Sequence, residues 1–183
     1  EAEGIAAEAA MFAATGGVNT HKGAIYSVGL LCAAKAMELT ARGEQVCMSA
    51  AAVAKRLSVP HSHSHGDSVR QRFPKAGPRE EAYGGFPNVR MALDMLLSGR
   101  TGEETLLKLM NVMDDSNVLW RGGEQGLGFI KKESAKILDA PAEERKAMLS
   151  EFNTECIRRR LSPGGAADIL AAALFLQSVE PGS

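Results

Sequence analysis

Four short segments of this chain combine glycine with side chains that bind phosphate, metal ions or polar substrates, and each lies beside a predicted helix end. The first segment, residues 16–23, reads Gly-Gly-Val-Asn-Thr-His-Lys-Gly. Its glycines let a ligand approach the backbone, and the helix that follows offers free N–H groups and a positive dipole end. A plain helix–helix turn capped by asparagine is the alternative. The residues predicted to bind phosphate or nucleotide here are Gly16, Gly17, Asn19, His21 and Lys22.

The second segment, residues 61–87, begins with three alternating histidines and ends in a glycine-rich stretch. Alternating histidines in a loop are a weak zinc signal, so a single working histidine, His65 beside Gly66, is the preferred catalytic candidate. Further along, Arg79 suits a phosphate clamp and Glu81 suits a metal ion, because both are expected in a loop with glycine nearby. A solvated charged loop is the alternative interpretation.

The third segment, residues 114–123, reads Asp-Asp-Ser-Asn-Val-Leu-Trp-Arg-Gly-Gly. Carboxylate and amide oxygens suit Mg²⁺, which indicates Asp115 and Asn117 as metal-binding residues. Arg121, followed by Gly122, offers a guanidinium to phosphate at the start of the next helix. The alternative is that an aspartate merely caps a turn.

The fourth segment, residues 161–168, reads Leu-Ser-Pro-Gly-Gly-Ala-Ala-Asp. Ser162 is expected to cap a helix that starts at the following proline. Glycine so early in a helix lowers its stability, which indicates that the backbone at Gly164 and Gly165 comes close to another helix or to a ligand. The two glycines are therefore candidates for binding a nucleotide. Asp168 lies about one turn further and is a candidate catalytic residue. Close packing of two helices is the alternative explanation.

Helices must position these segments, because aromatic residues make up only 5% of the chain and alanine, leucine and methionine are abundant. No stretch alternates with period two, so an α/β fold is the weaker alternative. Residues 5–14 form the tail of an apolar helix, and residues 60–85 and 114–123 are predicted loops. The sequence thus predicts an all-α, bundle-like single domain of about seven helices with functional loops. The helical patterns after the tail cover residues 19–41, 45–57, 87–98, 102–113, 124–138, 142–160 and 163–179.

The net charge, the apolar runs and the cysteine spacing limit the classes of function that this chain can have. The chain has 183 residues and a formal net charge of -1, so it lacks the basic field expected of a protein that binds nucleic acid or an anionic membrane. No apolar run reaches the roughly 18 residues of a membrane span. The cysteines Cys32, Cys47 and Cys156 show no paired spacing, which argues against a disulfide framework, and the first two are expected in or near the core. We expect a cytoplasmic protein, and the sequence leaves a homodimer open.

Taken in order, five motifs resemble those of the triphosphoribosyl-dephospho-CoA synthase family. They are Gly-Gly-Val-Asn-Thr-His-Lys-Gly at 16–23, His-Gly at 65–66, Arg-x-Glu-Ala-x-x-Gly-Phe-Pro at 79–87, Asp-x-Asn-x-x-x-Arg-Gly-Gly at 115–123 and Ser-Pro-Gly-Gly-x-Ala-Asp at 162–168. Glu80 departs from the family pattern, which has glycine there. The family also carries upstream Lys-Pro-Gly and His/Asp-bearing segments without a counterpart here. Residues 1–183 are therefore expected to be a helical catalytic domain that lacks its N-terminal part.

The resemblance implies that ATP and 3′-dephospho-CoA react to give the 2′-(5″-triphosphoribosyl) derivative and free adenine. That product is the prosthetic-group precursor for the acyl carrier protein of citrate lyase or malonate decarboxylase. ATP is then the substrate and Mg²⁺ the expected cofactor. A metal-dependent nucleotide phosphohydrolase and a non-catalytic nucleotide-binding module are the alternatives. In the implied site, phosphates are held by Lys22, Arg79 and Arg121, Mg²⁺ by Glu81, Asp115 and Asn117, and the reacting hydroxyl or ribosyl charge by His65 or Asp168.

Overall fold

The computed structural model describes residues 2–57 and 77–180. Within these residues the regular structure consists of nine α-helices, with no β-strand. The predicted all-α fold is confirmed. The tail predicted at residues 5–14 is a complete helix, and a short helix that the sequence did not predict follows the undescribed stretch. In chain order the helices are α1 (Ala2–Ala14), α2 (Lys22–Met37), α3 (Gly43–Arg56), α4 (Pro78–Tyr83), α5 (Pro87–Leu97), α6 (Gly102–Val112), α7 (Ser116–Asp139), α8 (Ala142–Arg158) and α9 (Gly164–Val179).

Helix α9 is the central element, because it packs against α2, α5, α6 and α7. Its sequence, GGAADILAAALFLQSV, is apolar on nearly every side, which is typical of a helix surrounded by others. Ala172 and Ala173 are fully buried, and their small side chains let neighbouring helices approach closely. Ile169 and Leu176 fill the remaining space on either side of this alanine pair.

Two hydrophobic clusters form the core. The larger joins side chains of α2, α3, α5 and α9, and it includes Leu31, Val46 and Phe86. The second joins α6, α7 and α8 with the segment before α9. Its buried members are Leu107, Val118, Ile130, Ile137, Phe152, Cys156 and Leu161. Because α9 contacts elements of both clusters, its position sets where the fourth sequence segment lies.

Helix α6 begins with a capping box. The amide of Glu104 donates to the Thr101 hydroxyl, and the amide of Thr101 donates to the Glu104 carboxylate. The same carboxylate accepts a hydrogen bond from Arg145 on α8, whose guanidinium also donates to the carbonyls of Leu138 and Ala140. One arginine thus joins the start of α6 to the end of α7, which fixes the α7–α8 turn.

The prediction of a loop over residues 114–123 is wrong. Helix α7 begins at Ser116, because the side chain of Asp115 accepts the amides of Asn117 and Val118 and caps the helix. The glycine pair that indicated a loop instead produces a kink within α7. Gly123 has φ 57° and ψ -159°, a conformation that side chains strongly disfavour.

Helix α4 lies in the segment predicted as a loop over residues 60–85, and Arg79 and Glu81 are therefore helical. The candidate catalytic residue His65 lies outside the described residues. Of the two cysteines expected in or near the core, Cys47 is buried but Cys32 is exposed on α2. Within the described ranges, none of the helices is both long and apolar enough to cross a lipid bilayer.

The side chain of Leu161 lies against α7 in a socket formed by Gly122 and Gly126. A Cβ at Gly122 would overlap the Leu161 side chain, and a Cβ at Gly126 would lie 3.0 Å from it. Leu161 is buried and belongs to the second core cluster. Gly128, further along the same helix, has no atom within 4 Å of its Cβ position. The socket therefore fixes the segment just before α9 against α7.

We expect Gly122→Ala to lower the free energy of unfolding by about 1–3 kcal/mol, because the added methyl group overpacks the socket. Gly128→Ala is the matched control, and it should raise the free energy of unfolding by up to about 1 kcal/mol through helix propensity alone. Urea denaturation followed by circular dichroism measures both values. Equal effects of the two variants would show that Leu161 does not depend on the glycine socket.

Candidate active site

The carboxylate of Asp115 joins the N-termini of two helices. Its Oδ1 accepts the amides of Asn117 at 2.8 Å and Val118 at 3.2 Å, both at the start of α7. Its Oδ2 accepts the amide of Ala166 at 3.0 Å, at the start of α9, where the amide of Gly165 also donates. The side chain is almost fully buried. Both oxygens of Asp115 are therefore engaged by backbone N–H groups that a helix cannot satisfy within itself.

The glycine pair that opens α9 makes room for this arrangement. A Cβ at Gly165 would lie 2.9 Å from Asp115 Oδ2, and a Cβ at Gly164 would lie 2.9 Å from Asn117 Nδ2. Pro163 occupies the N-cap position and provides no side-chain hydrogen bond. The expected cap by Ser162 is thus wrong, because Asp115 supplies the acceptor from another part of the chain. Close approach, which the sequence indicated, is confirmed, and here the approaching groups are protein side chains.

Asp168, in the second turn of α9, faces the start of α2. Its Oδ2 and Cγ occupy the space where a side chain at Gly23 would begin, and the backbone amide of Ala24 donates a hydrogen bond to its carboxylate. Three helix N-termini, those of α2, α7 and α9, therefore converge on the carboxylates of Asp168 and Asp115. This places the first, third and fourth sequence segments side by side.

The electrostatic balance differs between the two carboxylates. Burial raises the pKa of Asp115, while its hydrogen bonds from backbone amides oppose that shift. Burial, with a smaller contribution from the negative charge of Asp115, raises the pKa of Asp168 to about 6. The amide of Ala24 and the neighbouring charge of His21 act in the opposite direction. Asp168 therefore exchanges its proton close to neutral pH, which suits a group that takes up or releases protons.

The first segment enters this region as a turn between α1 and α2. Gly16 and Gly17 have φ of 64° and 85°, which only glycine adopts easily, and they end α1. Asn19 Oδ1 accepts the amide of Lys22 at 3.1 Å. The N-cap residue of α2 is His21, which makes no side-chain capping bond, so the interpretation of Asn19 as the helix cap is wrong. His21 Nδ1 lies 2.6 Å from the hydroxyl of the preceding threonine.

Lys22 forms an ion pair with Glu8 on α1. Sequence reasoning missed this partner, because the two residues lie fourteen positions apart and on different helices. The ion pair holds the ammonium group of Lys22 against Glu8 on α1. It also lowers the net positive charge that Lys22 offers to a phosphate group.

Glu81 has a capping role in a different part of the fold. Its Oε1 accepts the amides of Asn88 at 2.7 Å and Val89 at 3.1 Å at the start of α5, and its Oε2 accepts Asn88 Nδ2 at 2.6 Å. The side chain is buried, and burial raises its pKa while these hydrogen bonds lower it. Arg79, on the same short helix, is half-buried. The described part of the second segment, residues 77–87, thus lies at the start of α5, whereas the other three segments meet at Asp115 and Asp168.

The three residues expected to hold Mg²⁺ are arranged in two groups. Asp115 and Asn117 are neighbours at the start of α7, and Glu81 caps α5. Within residues 2–57 and 77–180, no set of three or more His, Cys, Asp or Glu side chains is close enough to bind a metal ion. Both carboxylate oxygens of Asp115 and both of Glu81 already accept hydrogen bonds from N–H groups, so neither side chain fits as a direct metal ligand. Asp168, which is half-buried and accepts a single amide, fits better.

Arg121 and Gly122 lie on α7, one to two turns from its N-cap. Arg121 is exposed to solvent, whereas Gly122 faces the side chain of Leu161. The arginine therefore remains available to a ligand, and the glycine has a packing contact. Sequence reasoning did not identify the packing contacts of Leu161 and Gly23, although each is a terminal residue of a predicted segment. Their contacts join residues far apart along the chain, which a local pattern does not reveal.

The described residues form an all-α domain in which the carboxylates of Asp115 and Asp168 accept hydrogen bonds at the N-termini of three helices. Comparisons with known proteins identify the family to which this domain belongs. Residues 1–183 match the family model described as CitG: ATP:dephospho-CoA triphosphoribosyl transferase. The chain belongs to this family, so the resemblance of the five motifs is confirmed.

Relatives and a solved structure agree with this placement. A protein of Pseudomonas syringae pv. syringae, named "Probable 2-(5''-triphosphoribosyl)-3'-dephosphocoenzyme-A synthase", is 39% identical over 189 residues, which cover 95% of this chain and 65% of that protein. One of the same name from Azotobacter vinelandii is 40% identical over 190 residues, again 95% and 65%. A crystal structure from Archaeoglobus fulgidus, described as a "putative triphosphoribosyl-dephospho-coA synthase", aligns with TM-score 0.68 and 18% identity over 88% of this chain and 83% of that one, which shows the shared fold.

The chain spans 65% of the length of these two curated relatives. The family and the fold are established for this chain.

We expect Asp115→Asn to lower the free energy of unfolding by about 2–4 kcal/mol, because the new NH₂ group would face backbone N–H donors that then lack an acceptor. Urea denaturation gives the value. Asp114→Asn is the matched control, since the neighbouring carboxylate is half exposed and pairs with Lys131 on the surface. The control should change stability by less than about 1 kcal/mol. Similar values for the two variants would contradict the capping role of Asp115.

Proposed function

We propose that this chain forms part of the site of a triphosphoribosyl transferase that joins ATP to 3′-dephospho-CoA. In this reaction the 2′-oxygen of dephospho-CoA bonds to C1′ of the ATP ribose, and the bond from C1′ to adenine breaks. The hydroxyl proton passes to a base, and the departing adenine takes up a proton. The observation that carries the proposal is the convergence of three family motifs on Asp115 and Asp168.

The helix starts supply the means to hold the triphosphate. The positive dipole ends of α2, α7 and α9 favour an anion placed near them, although first-turn amides of all three helices already donate to Asp115 or Asp168. His21, Lys22 and Arg121 border these turns and add cationic or hydrogen-bonding groups. In the proposal, Gly16, Gly17, Asn19, Gly164 and Gly165 shape the backbone around the phosphates, and Arg79 contributes from α4.

Magnesium is the cofactor that we propose, bound chiefly through the phosphate oxygens of ATP. Mg²⁺ commonly retains water and takes few protein ligands when phosphates are present. When bound, the ion would neutralise the triphosphate so that it is transferred intact. Asp115 and Asn117 would act on the ion through bound water, because both oxygens of Asp115 already accept backbone amides. Glu81, also predicted to hold the ion, caps α5 and takes no part in this arrangement. Asp168 is the carboxylate that could contact the ion directly.

Asp168 is the group that we propose to act on the reacting atoms. A half-buried carboxylate can accept the hydroxyl proton of dephospho-CoA, or stabilise positive charge on the ribose as the bond to adenine breaks. Its pKa, raised to about 6, keeps both protonation states accessible near neutral pH. His65, outside the described residues, stays the second candidate for this role.

The charge on Asp168 should destabilise the fold at neutral pH. Because folding raises its pKa from 3.8 to about 6, the folded chain binds this proton more tightly than the unfolded chain does. The stability supplied by the protonated group is present below the unfolded pKa and is lost as the pH rises through about 6. We therefore expect Asp168→Asn to unfold at a higher temperature than the unsubstituted chain at pH ~7.5, with the difference vanishing near pH ~4.

Thermal unfolding across that pH range measures the effect. Asp94→Asn, at an exposed position on α5, is the matched control and should show no such pH dependence. A lower unfolding temperature of Asp168→Asn at neutral pH would contradict the destabilising carboxylate, and with it the view that Asp168 is retained for function.

The reaction itself is tested by incubating the chain, and in parallel a full-length relative, with ATP, Mg²⁺ and 3′-dephospho-CoA. We expect free adenine and a conjugate that carries all three phosphates, detected by mass spectrometry. Asp168→Asn should abolish the conjugate while the protein remains folded. Released phosphate without adenine would instead support the phosphohydrolase alternative and overturn the proposal.

A further inference from the structure

Gly23 adjoins the carboxylate of Asp168 more closely than any side chain would allow. A Cβ built at Gly23 would overlap Oδ2 of Asp168, and it would lie 3.0 Å from Cγ. The overlapping atoms belong to a short side chain on the central helix α9, which is held between α2, α5, α6 and α7. An aspartate has few rotamers with which to escape, so a side chain at position 23 would displace the carboxylate or separate the two helices.

Backbone conformation does not explain the glycine. Gly23 is the second residue of α2, and its φ lies outside the left-handed region that favours glycine. Glycine in a helix otherwise lowers stability relative to alanine. Gly29, later in the same helix, has no atom within 4 Å of its Cβ position. The reason for glycine at position 23 is therefore the space that the Asp168 carboxylate occupies.

We infer that Gly23 is a positioning residue that fixes the carboxylate of Asp168 against the first turn of α2 for the transfer reaction. This inference rests on the proposed function of the site. With the carboxylate in this space, the amide of Ala24 donates to it from the same turn of α2. The charged neighbours that face it are Asp115 from the start of α7 and His21 from the turn before α2.

The arrangement determines which environment the carboxylate experiences. A carboxylate held in the space at Gly23 is shielded from solvent by α2 and lies near the negative charge of Asp115. Displaced from that space, it would move toward water and lose the Ala24 amide as a donor. The position of its proton and the orientation of its oxygens toward a substrate would both change.

Gly23→Ala is the direct test, with Gly29→Ala on the same helix as the matched control. The amide of Ala24, which donates to this carboxylate, is observed by NMR in each protein, and Asp168→Ala shows its signal without the hydrogen bond. In Gly23→Ala we expect the Ala24 amide to lose this hydrogen bond, seen as an upfield shift and faster hydrogen exchange, and in Gly29→Ala we expect no change. An unchanged Ala24 amide in a folded Gly23→Ala protein would overturn the inference.

A double-mutant cycle separates this positioning from a general packing defect. In the Asp168→Ala background the carboxylate is absent, so Gly23→Ala should leave the unfolding temperature nearly unchanged, whereas in the unsubstituted chain it should lower it. The cycle also applies if Gly23→Ala alone fails to fold, because the double variant should fold as Asp168→Ala does. An equal loss in both backgrounds would show that Gly23 packs against something other than the carboxylate.

The transfer assay then links positioning to turnover. We expect Gly23→Ala to lower kcat by about ten- to a hundredfold with a small change in KM for ATP, and Gly29→Ala to change neither. If the Ala24 amide signal shifts in Gly23→Ala but no conjugate forms even with the unsubstituted chain and the full-length relative, the positioning stands and the proposed reaction falls. If transfer occurs but the amide signal and the cycle show no effect of Gly23→Ala, the reaction stands and the positioning falls.

Discussion

The shared carboxylate of Asp115 is the interaction on which the rest of the site depends. It accepts amides from the first turn of α7 through one oxygen and from the first turn of α9 through the other. Each helix start would otherwise leave buried N–H groups without acceptors, which costs more free energy than an ordinary hydrogen bond provides. Because α9 is the central helix, the orientation that this carboxylate imposes also directs Asp168 toward α2.

The glycines of the site are as important to its geometry as the polar groups. At Gly23, Gly164 and Gly165, the space of a Cβ is bordered by Asp168, Asn117 and Asp115 respectively. Glycine in such segments commonly indicates close approach of a ligand. Here the approaching atoms belong to other segments of the same chain, so a phosphate would be held mainly by neighbouring cationic side chains such as Arg121.

The site contains one carboxylate whose negative charge is well compensated, Asp115, and one whose charge is not, Asp168. Four amides compensate the buried charge of Asp115, whereas Asp168 has one amide and lies near the charge of Asp115. A carboxylate in such surroundings is stabilised when it binds a proton or a cation. Natural proteins often retain a locally unfavourable group where it acts on a substrate. This contrast distinguishes the structural carboxylate from the one that we propose to be reactive, although each belongs to one of the family motifs.

The sequence by itself determined the helical class, most helix bounds, the family and the segments that carry polar chemistry, because periodicity, caps and short motifs are local signals. It failed at residues 114–123, where glycines suggested a loop and a capping aspartate starts a helix. Only the tertiary structure decided that Asp115 joins two helix starts, that Asp168 lies against Gly23, and that Glu81 caps α5 instead of joining them. These contacts depend on how the helices pack, and packing between residues distant along the chain leaves no local pattern to read.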